Sequence, residues 1–385
     1  MKYSDKYLAF MGMWPKQIPH WEHWSCPDAE TYLTGIDYYE HPKLCREKMK
    51  QLYPQLELPV PETDKPVPRP KLGLDGPSYN PEKYTVRWGD SESSEWLRER
   101  PRFRSPEEVF SFSPLEHSSN LGTSPLVVLE TDNYATEDII YERHRRDYPK
   151  EWGDKAPEGS TAPAGFYNTM FMWPLLMFGW ELFLQCCLDE RFDRIMDEFA
   201  EINRRVFGAF ARLPVNFIVC HDDIMNNRGP ICSPAWMHKY IFPRYEEFWS
   251  ILRAAGKQVI FMSDGNMTAY ADDVIACGAR GIISEPSTDY KKIARDHDAE
   301  NLFLAGEGDN RVLTRNDPDE IDAMVRSMVD TARMTAGYMM CIGNQIPWNV
   351  TPEGIKRYLD RSAEWAVRRP EPIALPVSPE SCYDV

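Results

Sequence analysis

From residue 164 onward the chain alternates short apolar runs with longer amphipathic segments, and this alternation constrains its fold more than any other feature. The runs lie at 166–171, 215–220, 258–262, 281–284, 302–305 and 337–342. Helix signals bracket the segments between them. Ser233 precedes Pro234, Asn316-Asp317 precedes Pro318, and Thr351 precedes Pro352. Each pair places a side-chain acceptor at the N-cap and a proline where no amide donor is needed. Gly256 and Gly278 stand where helices end, because glycine tolerates the left-handed turn there. Strands alternating with helices at this spacing predict βα units on a parallel sheet. Earlier runs at 18–22 and 84–88 bring the strands to eight. The expected fold class is therefore α/β, a single (β/α)8 TIM-type barrel with a long N-terminal insertion or cap. One domain then spans 1–385, with core βα repeats at 164–368 and an irregular, proline-rich insertion or cap at 40–160. Pro54, Pro59, Pro61, Pro66, Pro68, Pro70, Pro77 and Pro81 crowd residues 54–82 of it and exclude helix interiors and central strands over that stretch. A doubly wound open sheet is the competing topology, but no G-x-G-x-x-G follows any strand.

Charge and cysteine usage narrow the function. The formal net charge is −16, which argues against nucleic acid and against an anionic membrane surface as partners, since both need a basic face. No run of about 20 uncharged apolar residues is present to span a bilayer. The N-terminal segment lacks the small-residue cleavage site of a secretory signal. Nine cysteines are scattered, with no C-x-x-C pair. Reduced thiols in a cytoplasmic protein are the expectation.

In a parallel barrel, side chains from separate strands meet where strands end and loops begin. The first expected strand runs into His20, Glu22 and His23, and the 215–220 run into His221-Asp222-Asp223. The 258–262 run leads to Asp264-Gly265-Asn266, the 281–284 run to Glu285-Pro286, and the 302–305 run to Glu307 and Asp309. The last leads to Asn344 and Gln345. A lone Asp or Asn after a strand is often a helix cap. Proton-accepting or metal-ligating groups on six strand ends point instead to a shared site. The acids suit general acid chemistry, because crowded carboxylates raise one another's pKa. Together with one histidine they equally suit a divalent metal acting as Lewis acid. Aromatic residues at Trp21, Trp24, Phe166, Tyr167, Phe171, Trp173 and Trp348 read mainly as core packing, with one or two available to stack on a small organic substrate.

The ordered set Asp264-Gly265-Asn266, Glu285-Pro286, Gly306-x-Gly308-Asp309 and Gly343-Asn344, spread over residues 164–368, resembles the uroporphyrinogen decarboxylase superfamily. Within it, the set is most similar to the corrinoid-dependent methyltransferases, which include O-demethylases. Two departures sharpen the comparison. The decarboxylases carry an arginine-rich segment after the first strand, whereas HWEHWSCPDAET at 20–31 contains no arginine. An acidic segment would repel a polycarboxylate. The thiol-activating methyltransferases carry a His-x-Cys zinc set, whereas the matching positions here are Met262, Asp264 and Asn344, a poor zinc set for that geometry.

The resemblance implies an enzyme that moves a methyl group from a small methylated or methoxylated donor to a corrinoid protein, as O-demethylases do. Cobalamin would arrive on that partner, since no D-x-H-x-x-G segment occurs here. His221, Asp223, Asp264 and Glu285 are the expected catalytic residues, with His221 as proton donor. His20, Glu22, Asn266, Asp309, Asn344 and Trp348 are the expected substrate-binding set. Asp264, Glu285 and His221 are the expected ligands if a divalent metal such as zinc is held. The insertion at 40–160 reads as a lid, the arm of a homodimer, or the dock for the corrinoid protein. The alternative is a decarboxylase or lyase of a small carboxylic acid, with Arg311 or Arg87 as the cationic anchor.

Overall fold

The structure is a computed structural model that describes residues 3–24, 26–69, 102–121, 133–297, 300–346 and 350–367, together with the strands at 78–80, 85–88 and 91–93. The chain forms two compact units, one of residues 1–65, 264–271 and 280–385 and the other of 66–263 and 272–279. No helix among the described residues is long and apolar enough to cross a membrane.

The parallel wall of the first unit is made of β1 (His20–Trp21), β2 (Leu56–Glu57), β6 (Gly281–Ile283), β7 (Phe303–Ala305) and β8 (Gly337–Met339), beside a short parallel pair of His23–Trp24 with Gln345–Ile346. Strand β6 pairs with β7 in the register Gly281↔Phe303, and β7 with β8 as Phe303↔Gly337. His20 then bridges Met340 in parallel and also pairs with Leu56 of β2. The order is β6-β7-β8-β1-β2. Strands β7 and β8 are buried at every position, as expected when both faces of a parallel strand are covered.

The second unit holds β3 (Pro163–Phe166), β4 (Phe217–His221) and β5 (Gln258–Met262). Parallel pairing aligns Pro163 with Phe217 and Gln258 with Phe217 on the other side. Both units thus keep the cyclic strand order of a (β/α)8 barrel, and the α/β class read from the sequence stands. Helix α1 (Phe192–Arg212) shows why the connections pack. Phe192, Ile195, Met196, Phe199, Val206, Phe207 and Phe210 recur at helical spacing and are buried, giving one apolar stripe against the unit's core. Burying each such phenylalanine contributes about 1.5–3 kcal/mol.

Two strands differ from the sequence expectation. The second barrel strand is Leu56–Glu57, whereas Thr85–Trp88 belongs to a local antiparallel sheet with Ser78–Asn80 and Ser91–Ser93. A two-residue strand fits between Pro54 and Pro59, so the surrounding prolines hid it. The run at 166–171 is strand only to Phe166, and a helix begins at Met172. The cause is the Asp222 carboxylate, which accepts the amides of Met170, Phe171 and Met172 at 2.6–2.7 Å. That turns apolar residues of strand-like composition into a helix start. The expected caps at Ser233, Asp317 and Thr351 all accept an amide of the first turn, and Gly256 and Gly278 both adopt positive φ.

Candidate functional site

In the second unit the polar side chains gather after β4. Asp222 and Asp223 alternate in direction, as successive residues of an extended chain must. Asp222 is fully buried and also accepts the Tyr245 hydroxyl at 2.6 Å. Burial raises its pKa to about 7, against the opposing pull of that hydroxyl and the three amides. Its role is to fix the 167–172 turn. Asn203 completes the same support, accepting the Trp173 indole N–H at 2.9 Å and donating to the Thr169 carbonyl.

Asp223 turns the other way. Its Oδ1 lies 2.9 Å from His221 Nε2, and its Oδ2 accepts the Tyr167 hydroxyl at 3.2 Å. The Tyr167 ring meets the His221 ring edge-on, with centroids 4.3 Å apart, and Tyr167 is 42% exposed. Sequence reasoning placed His221 and Asp223 in the site but left Tyr167 among the packing aromatics. The available signal was parity: Phe166 ends β3 facing the core, so its neighbour faces away.

In the first unit a second polar set follows β6 and β8. Gly265 N–H donates to Glu285 Oε2 at 3.0 Å, while the Gly265 carbonyl accepts the Ser284 and Thr288 hydroxyls at 2.9 and 3.2 Å. Asn344 takes the left-handed conformation at φ 70° and brings Nδ2 within 3.5 Å of Asp264 Oδ2. Glycine is required behind this set. A Cβ on Gly306, at φ +103°, would lie 1.8 Å from the Ser284 carbonyl oxygen, and one on Gly343 would lie 2.6 Å from that of Gly306.

The remaining expected residues have local partners. Asn266 caps a short 3-10 turn through the Thr268 amide. Asp309 caps the helix at Asn310–Arg315 through the Arg311 amide and pairs with the Arg311 guanidinium at 2.8 Å. Beside Asp309, Glu307 accepts from Ser327 Oγ and the Tyr338 hydroxyl at 3.0 and 2.9 Å, and burial raises its pKa. Both acids line a cleft of about 320 Å³ with Asp289, Lys291 and Met324. His20 and Glu22 are buried, 2.7 Å apart, and Glu22 also accepts the Tyr358 hydroxyl and the Ile342 amide. Trp348 and the Arg87 side chain lie outside the described residues.

In the second unit His221 offers an imidazole nitrogen, and in the first unit Asp264 and Glu285 offer carboxylate oxygens; each donor type is one that zinc or a similar ion accepts. Burial holds the Cys220 and Cys341 thiols above their usual pKa, the setting of inert core cysteines.

Parallel strands in barrel order with acids and a histidine at their C-terminal ends define a barrel-type α/β enzyme. More narrowly, the chain belongs to the uroporphyrinogen decarboxylase (URO-D) family, whose model matches residues 165–365. Among solved structures it is similar to a methyltransferase from Methanosarcina mazei, with 13% identity, TM-score 0.55, 94% of this chain and 99% of that chain covered. At that identity the likeness is one of fold. A xylose isomerase-like TIM barrel protein from Mycobacterium smegmatis, described in complex with magnesium, aligns at 11% identity and TM-score 0.25, covering 60% of this chain and 90% of that one. No curated protein matches the sequence.

Proposed function

We propose that the protein is a methyltransferase that moves a methyl group from a small methylated or methoxylated donor to a corrinoid protein. The observation that carries this reading is the largely buried His221–Asp223 pair at the end of β4, in a URO-D family chain whose first-strand segment lacks arginine. A reduced corrinoid on the partner is itself the methyl acceptor, so this chain needs no nucleophile of its own. What it supplies is orientation of the donor and a proton for the leaving oxygen or nitrogen. His221, when protonated on both ring nitrogens, donates that proton and is left as the neutral ring. Asp264 and Glu285 bind the donor's heteroatom, either directly or through a divalent metal that polarises it.

The decarboxylase alternative needs a free cation to anchor a carboxylate. Its Arg311 candidate is held in a bidentate pair by Asp309, which weighs against that role.

The test is elemental analysis of the purified protein beside Asp264→Ala and His221→Ala, followed by a donor screen with cob(I)alamin. About one equivalent of metal, lost in a variant, identifies the ligands and the Lewis-acid route. Metal-free protein that still demethylates a donor leaves proton donation by His221. Carbon dioxide release from a small acid, without any methyl transfer, overturns the reading.

A further inference from the structure

The Tyr167 hydroxyl does not serve packing. The residue is 42% exposed, so its hydroxyl could be satisfied by solvent alone. Yet the hydroxyl is spent on Asp223, the same carboxylate that holds His221. A carboxylate only accepts, so the hydrogen between Asp223 Oδ1 and His221 must sit on Nε2. Nδ1 is then the nitrogen left to exchange a proton or to hold a metal. With Oδ2 occupied by Tyr167, Asp223 cannot rotate away from the imidazole without losing a second hydrogen bond. The ring of Tyr167 also closes on the edge of His221, at 4.3 Å between centroids.

We infer that Tyr167 is a positioning residue that locks His221 in the Nε2–H tautomer through Asp223, so that Nδ1 is the nitrogen presented for chemistry. The inference rests on the proposed role of His221 in methyl transfer, but the geometry that carries it lies wholly in the second unit. Carboxylate–histidine support of this kind is worth about 10–100-fold in metal affinity or activity when a partner is removed. The phenol acts one step further out.

The experiment compares wild type, Tyr167→Phe and Tyr167→Leu after labelling histidine with 15N and removing metal with a chelator. Long-range 1H–15N spectra report the tautomer of each imidazole, and His221→Gln assigns the signal among the eight histidines. The expected result is one Nε2–H tautomer in wild type and mixed tautomers in Tyr167→Phe. Turnover in Tyr167→Phe should drop about tenfold or more with KM nearly unchanged. Tyr167→Leu should share the tautomer change, and circular dichroism should show both variants folded. A single Nε2–H tautomer in Tyr167→Phe overturns the inference, as does a wild-type His221 protonated at Nδ1. Wild type that transfers no methyl group to cob(I)alamin sinks the functional reading alone, because the spectra still decide the tautomer.

Discussion

His20 and Glu22 stand two residues apart on the chain with Nε2 and Oε1 separated by 2.7 Å, and both side chains are removed from solvent. Glu22 is the hub of this pair. It also accepts the Tyr358 hydroxyl at 2.6 Å and the Ile342 amide at 3.1 Å, so it ties β1 to the chain beyond β8 and to the C-terminal helix at Pro352–Trp365. Removing it would leave three buried donors without an acceptor. Each buried donor left unpaired costs about 1–3 kcal/mol. Glu22→Ala should therefore lower the urea midpoint steeply, and Glu22→Gln, which keeps one acceptor oxygen, should cost less. Equal midpoints for wild type and Glu22→Ala would show that Glu22 does not hold the wall together.

Gly306 follows β7 at φ +103°, and a Cβ there would sit 1.8 Å from the Ser284 carbonyl oxygen. Backbone must move for any side chain to fit. The left-handed strain alone costs about 1–3 kcal/mol, and the clash adds to it. Gly306→Ala should unfold at lower urea than wild type by at least that amount, and Glu285, next to Ser284, should move with it. Denaturant melts of Gly306→Ala and of Gly256→Ala check this, since a Cβ on Gly256 meets nothing within 4 Å. The second variant should lose only the conformational part.

Much of this arrangement was legible in the sequence, and the rest was hidden for physical reasons. Long periodic elements such as the helix at Phe192–Arg212 declare themselves through a buried stripe. Ser233, Asp317 and Thr351 were readable because capping is local chemistry. The strand at Leu56–Glu57 was not, since two residues between prolines carry no period and their pairing with His20 is non-local. Asp222 and Asp223 look alike as letters, yet only backbone alternation decides which is buried under four donors and which faces His221. Tyr167 was hidden by the same ambiguity in an aromatic run.

His144 gives the chain a pH response. It is half-buried against Phe210, with ring centroids 4.7 Å apart. Burial is the main cause that lowers its pKa from 6.5 to about 4, with the Arg143 charge adding to it. The folded state therefore prefers neutral imidazole. Its contribution is fully present above pH 6.5 and is lost as pH falls toward 4, because the unfolded chain gains the proton first. Partial exposure limits the effect to about 1–2 kcal/mol. Urea melts at pH 7.5 and pH 4.5 should show this loss in wild type and a smaller loss in His144→Phe. Parallel losses in the two proteins would assign the acid sensitivity elsewhere.

Asp264 and Asp309 follow neighbouring motifs of the family pattern, but their surroundings predict opposite phenotypes. Asp309 spends its carboxylate on the Arg311 amide and guanidinium, which holds its pKa below the usual range against the opposing effect of burial. Its removal should cost the short helix its cap, about 1 kcal/mol, and leave turnover within about twofold of wild type. Asp264 Oδ2 lies 3.5 Å from Asn344 Nδ2, longer than an ordinary hydrogen bond to a carboxylate. If it polarises the donor or a metal, Asp264→Ala should lose about 10²–10⁴-fold in turnover with little change in the urea midpoint. Steady-state rates and melts on the two variants separate these roles. Equal loss of activity in both would mean that Asp309 leaves its cap to bind substrate, and the Arg311 pair would then be a resting contact.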